Sequence, residues 1–409
     1  MLGIPMADLN RLDAMRAIET LRSGVPSMHA VRALGCAQEQ IEARFQQQLN
    51  ALAGDGAPSG TLVSGGFGSG KSHTLAHLQA VALTQHFVVS CVAISKETPL
   101  FDMGKLFKSA IECAVVPGTT GRAIQELALK VDPRSDAYGA LQRWASGASD
   151  FIAATLALFE HASTSPEVRE RIIDFWSGDK LPIAALRAAL RQAGLHQAYP
   201  SIKTPKAAEL PQLRFAFAAR LFRAAGFAGW ALLLDEVELI GRYSLLQRAK
   251  SYAELARWFG RADQDSVHWI ATVAAITDEF DFAVLDGKQD WTRAPQMLRS
   301  KGQDVLAERA TRGMQLIRDD ALRLRLPSTG DVMALYLRLG DIYLQAYGWP
   351  TGNVFKQVAA GSTPTRTYVR MWINAWDLMR LDPSYVPEID AEPVPPEFDE
   401  DSDLEKSQE

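Results

Sequence analysis

Three cysteines among 409 residues, Cys36, Cys91 and Cys113, are too few for a disulfide framework, and none of their intervals suits a zinc site. They read as reduced cytosolic thiols. Residues 1–24 lack a basic stretch followed by an apolar one, so no secretory leader is expected, and no apolar run approaches the roughly 20 residues that span a bilayer. The chain is therefore expected to be cytoplasmic, with no membrane among its partners. Net charge is also small, at −5, but unevenly held: residues 388–409 carry ten carboxylates and one lysine, leaving the rest near +4. That acidic, proline-containing end has few apolar groups to bury and reads as a disordered tail over 383–409. A basic body beside an acidic tail is compatible with DNA nearby, and equally with a solubilising tail on a near-neutral enzyme.

The apolar content of 47% is ordinary for a globular chain, and 409 residues exceed one hydrophobic core, so two or three domains or one elaborated α/β domain are expected. Directly after the apolar run Thr61, Leu62, Val63 comes Gly65, Gly66, Phe67, Gly68, Ser69, Gly70, Lys71 and Ser72, then His73. The octapeptide fits the phosphate-loop pattern G-x-x-x-x-G-K-[ST] at every required position. Glycines let backbone N–H groups curl around a triphosphate with no Cβ in the way. Lys71 would reach the β- and γ-phosphates, Ser72 would ligate Mg²⁺, and a helix over 73–82 would turn its N-terminus to the phosphates. A chance glycine-rich turn is disfavoured by the strand before it and the helix after it.

Residues 9–50 carry helical periodicity and predict two or three helices ahead of the first strand. The β-branched run 87–94 (FVVSCVAI) predicts a buried strand of a parallel sheet, delivering Ser95, Lys96 and Glu97 to the ligand-binding edge. From 102 to 225 the chain is rich in alanine and leucine, without strong strand signals or a fixed repeat, and reads as a helical insertion. The sheet resumes at Trp230, Ala231, Leu232, Leu233 and Leu234 and ends in Asp235 and Glu236. Asp235 would hold the Mg²⁺ hydration shell and Glu236 would orient the attacking water, with the pair beside the loop once adjacent parallel strands align.

A third buried strand, 268–276, ends at Thr277, the candidate for reading the γ-phosphate, with Thr272 and Asp278 as fallbacks. A strand-end threonine also serves as an ordinary turn cap. Residues 321–326 alternate as a final strand, and 329–382 read as a small helical lid domain with Val332, Leu335, Tyr336, Leu339, Ile342 and Tyr343 on one face. Thr363, Pro364 and Thr365 open its second helix. Arg366 then falls in the first turn, against the helix dipole, which calls for an anionic partner; a solvated surface arginine is the plain alternative. Arg242, Arg248, Lys250, Arg257 and Arg261 follow the Asp-Glu pair and could face phosphates, although such a helix is usually a solvated face.

Phosphate loop, long gap, hhhhDE strand, polar-ended strand, final strand and helical lid together resemble the AAA+ ATPases, especially the origin-recognition and signalling branch. More closely, the phrases IETLRSGVPS (18–27), GKSHTL after the loop glycines, SKETPLFD (95–102), DEVELIGR (235–242) and TPTRTYVR (363–370) resemble the ATP-binding proteins of BREX phage-defence systems. The expected fold is α/β: an AAA+ type parallel sheet over 51–328 with an insertion at 102–225, preceded by N-terminal helices over 1–50. The resemblance implies ATP and Mg²⁺ as cofactors and other proteins of the same defence system as partners. DNA and further copies of the chain stay open as partners. It also implies Arg366 as the lid arginine touching the γ-phosphate, Ser95 to Glu97 near it, and an arginine from a neighbouring subunit, for which Arg293, Arg299, Arg309 and Arg312 stand in the right interval. The winged helix that follows the lid in origin-recognition relatives is replaced here by the acidic tail. The leading expectation is an ATP-hydrolysing subunit of antiviral DNA restriction. The alternative is an ATP-dependent switch that recruits partners while hydrolysing slowly or not at all. A small-molecule kinase would leave the insertion and terminal helices unexplained.

Overall fold

The computed structural model describes residues 10–24, 28–54, 56–119, 123–267, 269–355 and 365–386. The acidic end from residue 387 on, Thr363, Pro364 and His268 lie outside the described residues. Five strands form one parallel sheet: β1 (Thr61–Ser64), β2 (Val88–Ala93), β3 (Trp230–Asp235), β4 (Ala271–Ile276) and β5 (Leu322–Arg323), in the spatial order β2-β3-β4-β1-β5. Three helices precede β1: α1 (Arg11–Ser23), α2 (Met28–Leu34) and α3 (Glu39–Ala53). Helix α4 (Lys71–Thr84) joins β1 to β2, and seven described helices, α5 to α11, fill the stretch from Met103 to Ala224 between β2 and β3. After β3 come α12 (Leu245–Trp258), then β4, α13 (Asp290–Arg299), α14 (Asp304–Gln315) and β5, and finally α15 (Thr329–Tyr347) and α16 (Thr365–Leu381).

Side chains alternate across a strand, so the continuous apolar runs of β1, β3 and β4 need cover on both faces. On one face Val63, Val89, Leu233 and Val273 pack under Phe45, Leu49, Leu75 and Leu78 of α3 and α4. On the other, Leu62, Val88, Leu232, Leu234 and Ile276 meet Leu106, Phe107, Phe215, Phe222 and Trp258. A third core is separate from the sheet: Ala14, Ala17 and Ile18 of α1 and Ala33 of α2 pack with Tyr336, Leu339 and Tyr343 of α15 and Trp372 and Trp376 of α16. The N-terminal helices are thus divided, α3 going to the sheet and α1 and α2 to the C-terminal helix pair. Ser328 starts α15 with a capping box to Asp331, as its position after Pro327 leads one to expect.

The run at 87–94 forms β2 as expected, pairing parallel with β3 and keeping Val88, Val89, Ser90 and Val92 buried, and it lies at the sheet edge, with Cys91 and Ala93 exposed and Val89 bridged to Val115. One strand expectation needs correction: the Asp-Glu strand β3 is not adjacent to β1, because β4 lies between them. Apolar runs specify that a strand is buried, whereas its neighbour is chosen by the crossover that follows, here through α12.

Behind β3, Arg248 and Asp290 form an ion pair in which both side chains are 0% exposed: Arg248 Nε donates to Asp290 Oδ2 at 2.7 Å and Nη2 to Oδ1 at 2.9 Å. Tyr252 adds a bond to Asp290 Oδ2, and Arg248 Nη1 donates to Tyr243 O. Arg248 therefore does not face external phosphates. Removing it strands a buried carboxylate, so Arg248→Ala is expected to lower the free energy of unfolding by about 3–5 kcal/mol, measured by urea denaturation.

Candidate functional site

The carboxyl ends of β1, β3 and β4 point to one edge, and a cavity of about 520 Å³ opens there between the glycine-rich loop, the segment joining α2 to α3, and the pair α15 and α16. That volume suits a small-molecule ligand. The loop's shape requires its glycines: Gly70 has φ +103°, and a Cβ on Gly65 would come within 2.7 Å of both Leu324 Cδ1 and Ser69 Oγ. Helix α4 begins at Lys71, so its N-terminal N–H groups face the cavity, and Thr74 N donates to Gly70 O at 2.8 Å. Phe67 to Thr74 all line it, with Phe67 exposed; Gly65 and Gly66 sit behind them at the end of β1.

Lys71 is buried and folded back on the loop, Nζ donating to Gly65 O at 3.0 Å and Gly66 O at 3.3 Å and lying 3.5 Å from Glu238 Oε1. His73 lines the cavity with Gly35: its Nε2 donates to Gly35 O at 2.7 Å, and burial lowers its pKa. That bond ties α4 to the segment ahead of α3. Sequence reasoning missed this segment, where Leu34 to Gln38 form one wall. The signal was weak, a Gly35 between apolar helices and no motif.

Glu236 lines the cavity on a left-handed backbone, φ +58°, uncommon for a residue with a Cβ and a form of strain that collects at functional sites. Its N–H donates to Asp235 Oδ1 at 2.9 Å. Although its surface is open to the cavity, the surrounding protein desolvates its carboxyl and raises the pKa, with Asp235 adding to the rise and Lys71 and Arg366 opposing it. The chain then enters a 3-10 turn, Val237–Arg242, anchored by buried Val237 and Ile240, which brings Glu238 to the same wall. Burial raises the Glu238 carboxyl too, against the pull of Lys71. Glu238 was also missed, being one acid too far along for the hhhhDE pattern.

Arg366 lines the cavity from α16, and its stem rests on α1, where a Cβ on Gly24 would stand 3.4 Å from Arg366 Cδ. Lys71, Ser72, Glu236 and Arg366 are therefore brought together. Asp235 and Thr277 stay behind the lining. Thr277 is buried at the end of β4 with no hydrogen-bond partner for Oγ1, and Asp278 Oδ1 comes within 3.8 Å of where a Cβ on Gly66 would stand. Thr272 is mid-strand, opposite Leu232, away from the edge. Ser95 and Glu97 close a local turn at the end of β2, with Tyr243 donating to Ser95 O, and do not line the cavity. None of Arg293, Arg299, Arg309 and Arg312 lines it either; Arg312 is held by Asp263 at 2.8 Å. A second groove of about 540 Å³, at the amino ends of β1 and β5, carries none of the motif residues.

A parallel five-stranded α/β sheet with a glycine-rich loop between its first strand and a helix is the arrangement of a phosphate-loop protein. The family model for the BREX system ATP-binding protein BrxC/D matches residues 9–172 and 210–359. That is most of the chain, and the protein belongs to this family, whose members are ATP-binding components of BREX systems. No curated protein and no solved structure matches it. Among the described residues no helix is long and apolar enough to cross a membrane.

Proposed function

We propose that the cavity binds ATP with Mg²⁺ and hydrolyses it, as a cytoplasmic AAA+ type ATPase working with other proteins of a BREX-like system that restricts phage DNA. The observation that carries this is the convergence of Lys71, Glu236 and Arg366, from three distant parts of the chain, on one cavity at the glycine-rich loop. The strand order supports an AAA+ core, and the pairing of α15 and α16 over the cavity supports a lid. The long helical stretch between β2 and β3 is the part left for partner or DNA contacts.

The residues present fit the cofactors. A loop in which a Cβ at Gly65 would crowd Leu324 and Ser69, and whose Gly70 is left-handed, offers a cradle for phosphate oxygens. The hydroxyl of Ser72 and carboxylate of Asp235 are hard oxygen donors of the kind Mg²⁺ takes alongside nucleotide phosphates, and the described residues offer no cluster of three acidic, His or Cys side chains for another metal. Bound Mg²⁺ would neutralise charge on the β- and γ-phosphates. Lys71 holds the phosphates, Glu236 accepts a proton from the attacking water, and Arg366 meets the γ-phosphate from the lid. Thr277, at the loop end of β4, is kept as the polar residue reading the γ-phosphate, its Oγ1 being unpartnered.

The second reading, a switch that hydrolyses slowly and recruits partners, draws on the cavity wall holding, among the described residues, Arg366, Arg325 and Arg338 and no further arginine, and would have a neighbouring subunit supply one. Steady-state ATP hydrolysis with and without double-stranded DNA separates the two. Turnover that rises with DNA and vanishes in Glu236→Gln supports the ATPase; tight binding without turnover under either condition supports the switch.

A further inference from the structure

We infer that Glu238 is the counter-ion of Lys71 in the nucleotide-free site, and that an incoming triphosphate must displace it, so that Glu238 holds nucleotide affinity down. The inference rests on the cavity being a nucleotide site and concerns what that site does before ligand arrives.

A lysine ammonium has three donors. Two of them serve Gly65 O and Gly66 O, and the remaining side of Lys71 Nζ faces Glu238 Oε1 at 3.5 Å. Glu238 is only 8% exposed, lines the cavity, and its Oε2 has no hydrogen-bond partner. Buried carboxylates are ordinarily saturated with partners. Asp290 has Arg248 and Tyr252, whereas Glu254, also 8% exposed, has an unpartnered Oε2 that lies 3.5 Å from Arg257 Nε. Glu238 has the Lys71 ammonium and one unpartnered acceptor. It differs from Glu254 in place: Lys71 and Glu238 line the cavity at the glycine-rich loop, and Glu254 and Arg257 do not.

The consequence is competition. Lys71 has to leave Glu238 before it can serve a phosphate, and Glu238 is then left close to the anionic ligand in a site where burial strengthens charge interactions.

The test is titration of the full-length protein with a non-hydrolysable ATP analogue and Mg²⁺, in wild type, Glu238→Gln, Glu238→Asp and Glu167→Gln, each first melted without ligand to check folding. Glutamine keeps the shape and loses the charge, so Glu238→Gln is expected to lower Kd about tenfold, equivalent to about 1.4 kcal/mol. Aspartate withdraws the charge by one methylene and falls between; it carries the test if the glutamine variant does not fold. Glu167→Gln, at an exposed carboxylate outside the cavity, is expected to bind as wild type. Unchanged or weaker binding by Glu238→Gln, wild-type binding by Glu238→Asp when it alone folds, or equal tightening in Glu167→Gln overturns the inference, the last because it would be bulk charge removal. Failure of wild type to bind at all would instead overturn the reading of the cavity, and this inference with it.

Discussion

Glu236→Gln is expected to leave nucleotide binding intact and to slow ATP turnover by about 10²–10⁴-fold, the usual contribution of a positioned general base. Glutamine keeps the side-chain length and the left-handed turn at φ +58°, while losing the ability to accept a proton. Because desolvation and Asp235 raise the Glu236 carboxyl, its active, ionised form is lost as pH falls through a pKa above the ordinary glutamate value. The acid limb of the wild-type rate profile is therefore expected above that of a solvent-exposed glutamate. A phosphate-release assay across pH checks both points. Wild-type turnover by the variant would remove Glu236 from the chemistry.

Lys71→Ala is expected to reduce nucleotide binding below detection. Each hydrogen bond from an ammonium to a charged oxygen contributes about 1.5–3 kcal/mol, so losing two raises Kd by roughly a hundredfold or more. In the unliganded protein the substitution strands Glu238 without its cation, so a modest fall in melting temperature should accompany the loss. Equilibrium titration with a fluorescent ATP analogue reads the first effect and a thermal melt the second. Binding within a few-fold of wild type would mean that the glycine-rich loop does not serve phosphates.

Much of this architecture was legible because its signals are local. The loop at 65–72 announces its own backbone, the strands at β1, β3 and β4 are continuous apolar runs, and Ser328 with Asp331 spells a helix start. What depended on long-range choice was not. Insertion of β4 between β1 and β3 leaves no trace in either strand's composition, and nothing in the apolar run of β2 marks its place at the edge. Arg248 belongs to a basic surface pattern by spacing, yet its partner Asp290 lies 42 residues on and draws it inside. The sharing of one core by α1 and α16 likewise joins the first and last described helices, where periodicity marks which face is apolar and not what covers it. Glu238 was hidden for a different reason: a 3-10 turn, with its period of three, carries it to Lys71, where an extended or α-helical continuation would have sent it elsewhere.

The most direct measurement is the identity of the nucleotide retained after wild type and Glu236→Gln are each incubated with labelled ATP and Mg²⁺ and rapidly desalted. The expected result is ATP held uncleaved by the variant, at up to one per chain, and ADP recovered from the wild type. Equal cleavage in both, or no nucleotide retained by either, would contradict the assignment of this cavity as an ATP-hydrolysing site.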